Sequence, residues 1–209
     1  MTASTNAPEQ GERRAYWIEA AHALHLEGRL PEDAYVDRIT GCHSKHYLLE
    51  ILEPQIAVAQ QCGFPLSLVL VEIVRMHQIR YTYGNLATNG MLKDFADIMR
   101  NTVRSTDMIV RYADDIFGII CLHATQFGAA SACDRLRRKI SHHTFPSERG
   151  DLVVVANFGV SEQGGECDPH GRTLILSAEE SLRHANSIGD YAIVRQADLK
   201  PPATEGADE

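Results

Sequence analysis

The side chains with the most chemistry to offer are a small set of charged groups around the segment RSTD. Arg104 and Asp107 stand at its two ends, Arg100 precedes them by one helical turn, and Arg135 follows in CDRLRRKI with Arg137 and Arg138 close behind. A guanidinium binds a phosphate through two parallel N–H bonds, or grips the O6/N7 edge of a guanine. A neighbouring carboxylate accepts from guanine N1–H and N2–H2. As a bare pattern, R-x-x-D carries no weight: about one chance occurrence is expected in a chain of this size. A second one stands at Arg111–Asp114. The local reading is also open, in which Arg104 complements a helix C-terminus and Asp107 caps a turn.

Other groups could hold a metal. Glu72 ends the run LVLVE, and Asp114 and Asp115 lie in RYADDIFGII. Glu72 and Asp115 could together bind one cation; the plainer reading is surface or hairpin carboxylates. The histidine pairs His22/His25, His43/His46 and His142/His143 do not combine i,i+4 spacing with a nearby acid, so they read as surface or structural residues. Five cysteines are scattered, odd in number and never spaced as C-x-x-C, which excludes a disulfide framework and a zinc site. Cys121 and Cys133 fall at apolar positions and read as small core residues.

The 209 residues are 44% hydrophobic and 23% charged, ordinary for a globular domain with tails. A net charge of −8 argues against nucleic acid as a partner. Any anionic ligand therefore needs a local cluster of Arg or Lys. No stretch approaches the ~20 apolar residues of a membrane span, and the first residues lack the apolar core of a signal peptide. The expected location is the cytoplasm, without membrane insertion.

The elements that must position these groups follow from periodicity. Residues 1–11 read as a disordered tail and 12–36 as a helical extension carrying Trp17, which is expected to pack on the body. Ser44 reads as the N-cap of a helix with Leu48, Leu52, Ile56 and Ala59 at helical spacing. SLVLVEIV (67–74) is a continuous apolar run and predicts a buried central strand. A helix after Tyr83-Gly84 puts Leu92, Phe95, Ile98, Met99 and Val103 on one face. A hairpin of 107–112 and 115–122 follows, then a helix with Ala129, Cys133, Leu136 and Ile140 inward, and a strand over 151–162. The last elements are a helix with a capping box from Ser177 to Glu180, a strand over 190–195 and a disordered tail from 197. The class is α+β: a mixed, mainly antiparallel five-stranded sheet flanked by helices. The hairpin tip, Ala113-Asp114, is a poor two-residue turn, because such turns need φ > 0.

These motifs together resemble the GGDEF family. Asp37, Thr40 and Gly41 in DRITGCHSKHYLLEIL match the family's opening pattern, and Tyr83-Gly84 its Tyr/Phe-Gly. RYADDIF stands at the signature hairpin, R-Y-G-G-D/E-E-F, while FGV (158–160) and AEESLRHANSIGD (178–190) fill the last two motifs. The likeness runs in register over about residues 37–195. It implies a nucleotidyl-cyclase-like fold with a ferredoxin-like core. Active members are diguanylate cyclases, which condense two GTP molecules into cyclic di-GMP across a dimer with magnesium on the phosphates.

Carried over by position, the resemblance implies an altered catalytic site. Glu72 replaces the first metal-binding Asp. Ala113 and Asp114 replace the two tip glycines, Asp115 is kept, and Ile116 replaces the following Glu. Arg80 and Asn89 stand where the family reads guanine with Asn and Asp. Asn186 and Asp190 replace the Lys and Arg that hold the triphosphate. The same register puts Arg104 and Asp107 at the family's inhibitory site for cyclic di-GMP, with Arg135 at the place of its additional arginine.

The resulting expectation is a catalytically inactive domain, needing no cofactor and no magnesium, that receives cyclic di-GMP at Arg104, Asp107, Arg135 and Arg100 and reports to an unidentified signalling protein. A homodimer is compatible with it. The chain is expected to have no room for a separate sensor or phosphodiesterase domain. The rivals are a nucleotide-free interaction module, a residual cyclase, and a GTP binder without turnover.

Overall fold

The computed structural model describes residues 32–163 and 171–199. Of the predicted helical extension over 12–36, residues 12–31, with Trp17, lie outside them, as do the tail residues 1–11 and 200–209; 32–35 form a 3-10 turn and Val36 an isolated bridge to His43.

A 3-10 turn, Glu32–Tyr35, leads to a two-residue strand β1 (His43–Ser44) and helix α1 (Lys45–Cys62). Strand β2 (Leu66–Ile73), helix α2 (Met76–Arg100), and the hairpin β3 (Met108–Arg111) and β4 (Ile116–Leu122) come next. Helix α3 (Gln126–His142), strand β5 (Ala156–Glu162), helix α4 (Gly171–Ile188), strand β6 (Ile193–Arg195) and a short α5 (Gln196–Leu199) complete the chain. The sheet order is β1-β3-β4-β2-β5-β6. The three inner pairings are antiparallel, and β1 and β6 add parallel edges. The α+β class is as expected, with six strands rather than five. The extra one, β1, is too short to leave a sequence pattern.

Strand β2 is central and buried on both sides. Leu66, Leu68 and Leu70 face α1 and α4; Val69, Val71 and Ile73 face α2 and α3. The side chains that set the helical faces behave as their spacing demands: Ala129, Cys133, Leu136 and Ile140 are all buried on α3. Ser44 caps α1, its hydroxyl accepting from the Tyr47 N–H. Gly159 on β5 lies against the backbone of α4. A Cβ there would come 2.7 Å from Leu182 Cα and closer still to Leu182 N and Ala178 O. That approach seats α4 on the sheet.

Several boundaries differ from the sequence reading. Helix α2 begins at Met76, ahead of Tyr83-Gly84, and is kinked at Gly84 with φ 81° and ψ 171°. Only glycine adopts that conformation readily, which accounts for the Gly of the motif. Residues 151–155 are outside β5, apart from an isolated bridge between Phe145 and Leu152. Ser177 does not cap α4. It lies inside the helix, where its carbonyl accepts from Ser181 Oγ at 2.9 Å. Residues 197–199, read as the start of a tail, belong to α5.

The candidate nucleotide sites

Two places carry the predicted chemistry. The first is the corner between α2 and β3. After α2 ends at Arg100, a short turn brings the chain to Asp107, next to Met108 of β3. The turn closes on itself: the Arg104 N–H donates to Asp107 Oδ2 at 2.9 Å, and the Asp107 N–H to the Arg104 carbonyl at 3.1 Å. The turn-capping role is therefore real. It engages one carboxylate oxygen and the backbone of Arg104, not its guanidinium.

Asp107 is half-buried, and burial is the main cause of a raised pKa. The Arg104 N–H bond opposes the shift, as do the charges of Arg104 and then Arg135. Arg135 on α3 is thus electrostatically coupled to Asp107. Both Arg104 and Arg135 are exposed and, among the described residues, neither is in an ion pair; Arg135 Nη1 donates only to the Ser131 carbonyl at 3.3 Å.

Arg100 does not join this corner. Its guanidinium bonds the Thr40 carbonyl, Cys42 Sγ at 3.4 Å and Asp97 Oδ1 at 2.6 Å. The helix ends before Arg104, so one-turn spacing places no shared face. Arg137 and Arg138 also drop out, because both pair with Asp134. The corner keeps Arg104, Asp107 and Arg135.

The second place is the cleft at the ends of β2 and β4. Glu72 pairs in register with Ile116, and the Ile73 N–H donates to the Asp115 carbonyl at 2.8 Å. Asp115 is thus held beside the end of β2. Asn186 Nδ2 donates to Glu72 Oε2 at 2.7 Å; Asn157 Nδ2 donates to Asn186 Oδ1 at 2.8 Å; the Ala192 N–H donates to Asn157 Oδ1 at 3.0 Å. This amide relay was not legible in the sequence. Its one signal was Asn157, a buried amide just before the FGV motif.

The charged substitutions find partners nearby. Arg80 meets Asp114 at 3.6 Å, and Arg75 meets Asp190 at 2.8 Å. Asn89 is half-buried on α2. The hairpin tip is rebuilt rather than strained. Both Tyr112 and Ala113 donate backbone N–H groups to the Ile116 carbonyl, at 2.8 and 2.9 Å, and neither Ala113 nor Asp114 has positive φ. Arg111 gathers the tip, with Nε to the Ala113 carbonyl at 2.7 Å and Nη2 to the Asp114 carbonyl, while stacking over Phe117 at 4.5 Å. The second R-x-x-D is therefore structural. Among the described residues no group of three or more His, Cys, Asp or Glu is arranged to hold a metal.

A mixed sheet of this order with helices on both faces is the fold of the GGDEF domain. The chain belongs to that family: the model of the diguanylate cyclase GGDEF domain matches residues 34–191. The response regulator PleD of Caulobacter vibrioides is 29% identical over 178 residues, 84% of this chain and 37% of PleD. Diguanylate cyclase DosC of Escherichia coli is 25% identical over 155 residues, 74% of this chain and 33% of DosC. The chain thus spans about a third of the length of these two relatives. The GGDEF domain of DgcB from Caulobacter crescentus, in complex with cyclic di-GMP, superposes with a TM-score of 0.74 at 17% identity, covering 81% of this chain and 97% of that one. Diguanylate cyclase SiaD of Pseudomonas aeruginosa, in complex with its activator SiaC, gives 0.73 at 21% identity, with 89% and 69% covered.

The expectation of a protein without enzymatic activity is corrected by these relatives. Several are named diguanylate cyclases, which points to an enzyme. Residue substitutions counted one by one had argued otherwise. Glu72 and Asp115, the two carboxylates that the sequence reading allowed one cation, lie on neighbouring strand ends, the Ile73 N–H donating to the Asp115 carbonyl. No described helix is long and apolar enough to cross a membrane.

Proposed function

We propose that this domain binds cyclic di-GMP at the α2–β3 corner and passes the ligand's presence to a partner protein. The observation that carries the reading is the corner itself: the Arg104 N–H takes one Asp107 carboxylate oxygen at 2.9 Å, while the guanidiniums of Arg104 and Arg135 are exposed and make no ion pair among the described residues. Arginine forks bind phosphate or the guanine Hoogsteen edge, and the carboxylate accepts from the Watson–Crick edge. Net charge elsewhere is negative, so the attraction is local. A thermal melt tests this reading. Cyclic di-GMP at 100 times its Kd adds about 2.7 kcal/mol of stability; an unchanged melt at millimolar ligand overturns the reading and favours a nucleotide-free interaction module.

The relatives favour a second reading, cyclase chemistry in the cleft. Magnesium is commonly held by one or two carboxylates together with substrate phosphates and water. Glu72 and Asp115 are the groups that would hold it here, the relay fixing Glu72 by one oxygen. Bound there, the ion would supply charge stabilisation on the transferring phosphate. Incubation with GTP and Mg²⁺ or Mn²⁺, followed by chromatography, decides it: cyclic di-GMP formation abolished by Glu72→Gln supports the reading, and no product removes it. The corner reading itself calls for no magnesium.

A further inference from the structure

Resting on the corner reading, we infer that the neighbouring groove between α2 and α3 is a second half-site for the same dinucleotide. Cyclic di-GMP contains two guanines and two phosphates, so a receptor that engages both halves needs two sets of groups. Each set needs an acid for the guanine edge and cations for phosphate. The corner supplies one set in Asp107, Arg104 and Arg135.

The groove supplies the other. A cavity of about 480 Å³ is lined by Asp94, Asp97, Ile98 and Asn101 of the α2 end and by Lys139, His142 and His143 of the α3 end. That volume is within the ~300–1,000 Å³ of small-ligand sites. Asp97 is engaged by Arg100, but half-buried Asp94 makes no hydrogen bond or ion pair among the described residues. Lys139 faces it across the cavity and uses one donor on the Asn101 carbonyl at 2.9 Å, leaving two. His142 Nδ1 is tied to the Arg138 carbonyl at 2.7 Å, which leaves Nε2 as its second ring nitrogen. Ile98 contributes apolar surface.

The half-sites are contiguous. Asn101 precedes Arg104 by three residues in the turn. Lys139 follows Arg135 by four on α3, a rise of about 6 Å on the same face. An acid with a cation beside it thus occurs twice, Asp107 with Arg104 and Arg135 at the corner and Asp94 with Lys139 in the groove.

The test is isothermal titration of the full chain with cyclic di-GMP, comparing wild type, Asp94→Asn, Lys139→Gln and Arg104→Ala. Gln at 139 can still donate to the Asn101 carbonyl, and thermal melts of each variant check the fold. The inference expects about tenfold weaker binding in Asp94→Asn and in Lys139→Gln, and roughly five- to 150-fold weaker binding in Arg104→Ala. If the first two stay within twofold of wild type while Arg104→Ala is weakened at least about fivefold, the groove is not a half-site and the corner reading stands. If wild type gives no binding, both fall.

Discussion

Asp107 and Arg104 close a turn at the foot of β3, the Arg104 N–H donating to one Asp107 carboxylate oxygen at 2.9 Å, and the charge of Arg135 on α3 opposes the rise in the Asp107 pKa. The Arg104 turn presents the carboxylate, and α3 brings the cation to it. Burial makes the ionised Asp107 costly, while the two arginines and one backbone N–H recover part of that cost.

The sign of the raised Asp107 pKa sets a pH dependence. A carboxyl whose folded pKa lies above its unfolded value contributes stability that is fully present below the unfolded pKa and is lost as pH rises through the folded one. At pH 7 the ionised group is therefore a net cost to the free protein. Asp107→Asn should be neutral to slightly stabilising without ligand at pH 7, with the difference from wild type shrinking as pH falls through the folded pKa toward 4. Thermal melts from pH 4 to 7 measure this. A variant clearly less stable than wild type at pH 7 contradicts it.

The amide relay predicts a loss in the cleft. Asn157→Ala removes the acceptor of the Ala192 N–H and the donor that orients Asn186. Asn186 is exposed and Ala192 half-buried, so each lost bond is worth the ordinary net value of about 0.5–1.5 kcal/mol. Denaturant unfolding should show a loss in that range, and Asn157→Ser, with a shorter hydrogen-bonding side chain, should recover part of it. Equal losses in both would indicate simple packing.

Gly159 predicts a steric effect. A methyl group there meets the α4 backbone, not a movable side-chain tip. Overpacking of this kind costs about 1–3 kcal/mol and occasionally more. Gly159→Ala should fall at or above the top of that range in urea unfolding, because α4 must lift from β5. A change below 0.5 kcal/mol, the ~±0.5 kcal/mol typical of surface substitutions, would mean that the helix seats elsewhere.

Much of this architecture was written in residue spacing. The unbroken apolar run of β2 marked a strand covered on both faces, and the inward face of α3 matched residue for residue. Hairpin strands and the Ser44 cap were equally legible. Spacing could not show where a long side chain turns. Arg100 has the right distance from Arg104 in sequence, yet the Thr40–Cys42 loop, brought near by folding, offers it better acceptors. The Asn157–Asn186–Glu72 relay likewise joins three distant segments and has no local pattern. The tip of the hairpin had been read as a two-residue turn. Four residues between β3 and β4 instead let Ala113 and Asp114 avoid positive φ.

The corner stands or falls on direct titration with cyclic di-GMP. Wild type should bind saturably. Arg104→Ala and Arg135→Ala should each lose about 1–3 kcal/mol of affinity, roughly five- to 150-fold, as expected for charge-assisted bonds to a charged ligand. Absence of heat with wild type, or an affinity in Arg135→Ala equal to wild type, would contradict the account.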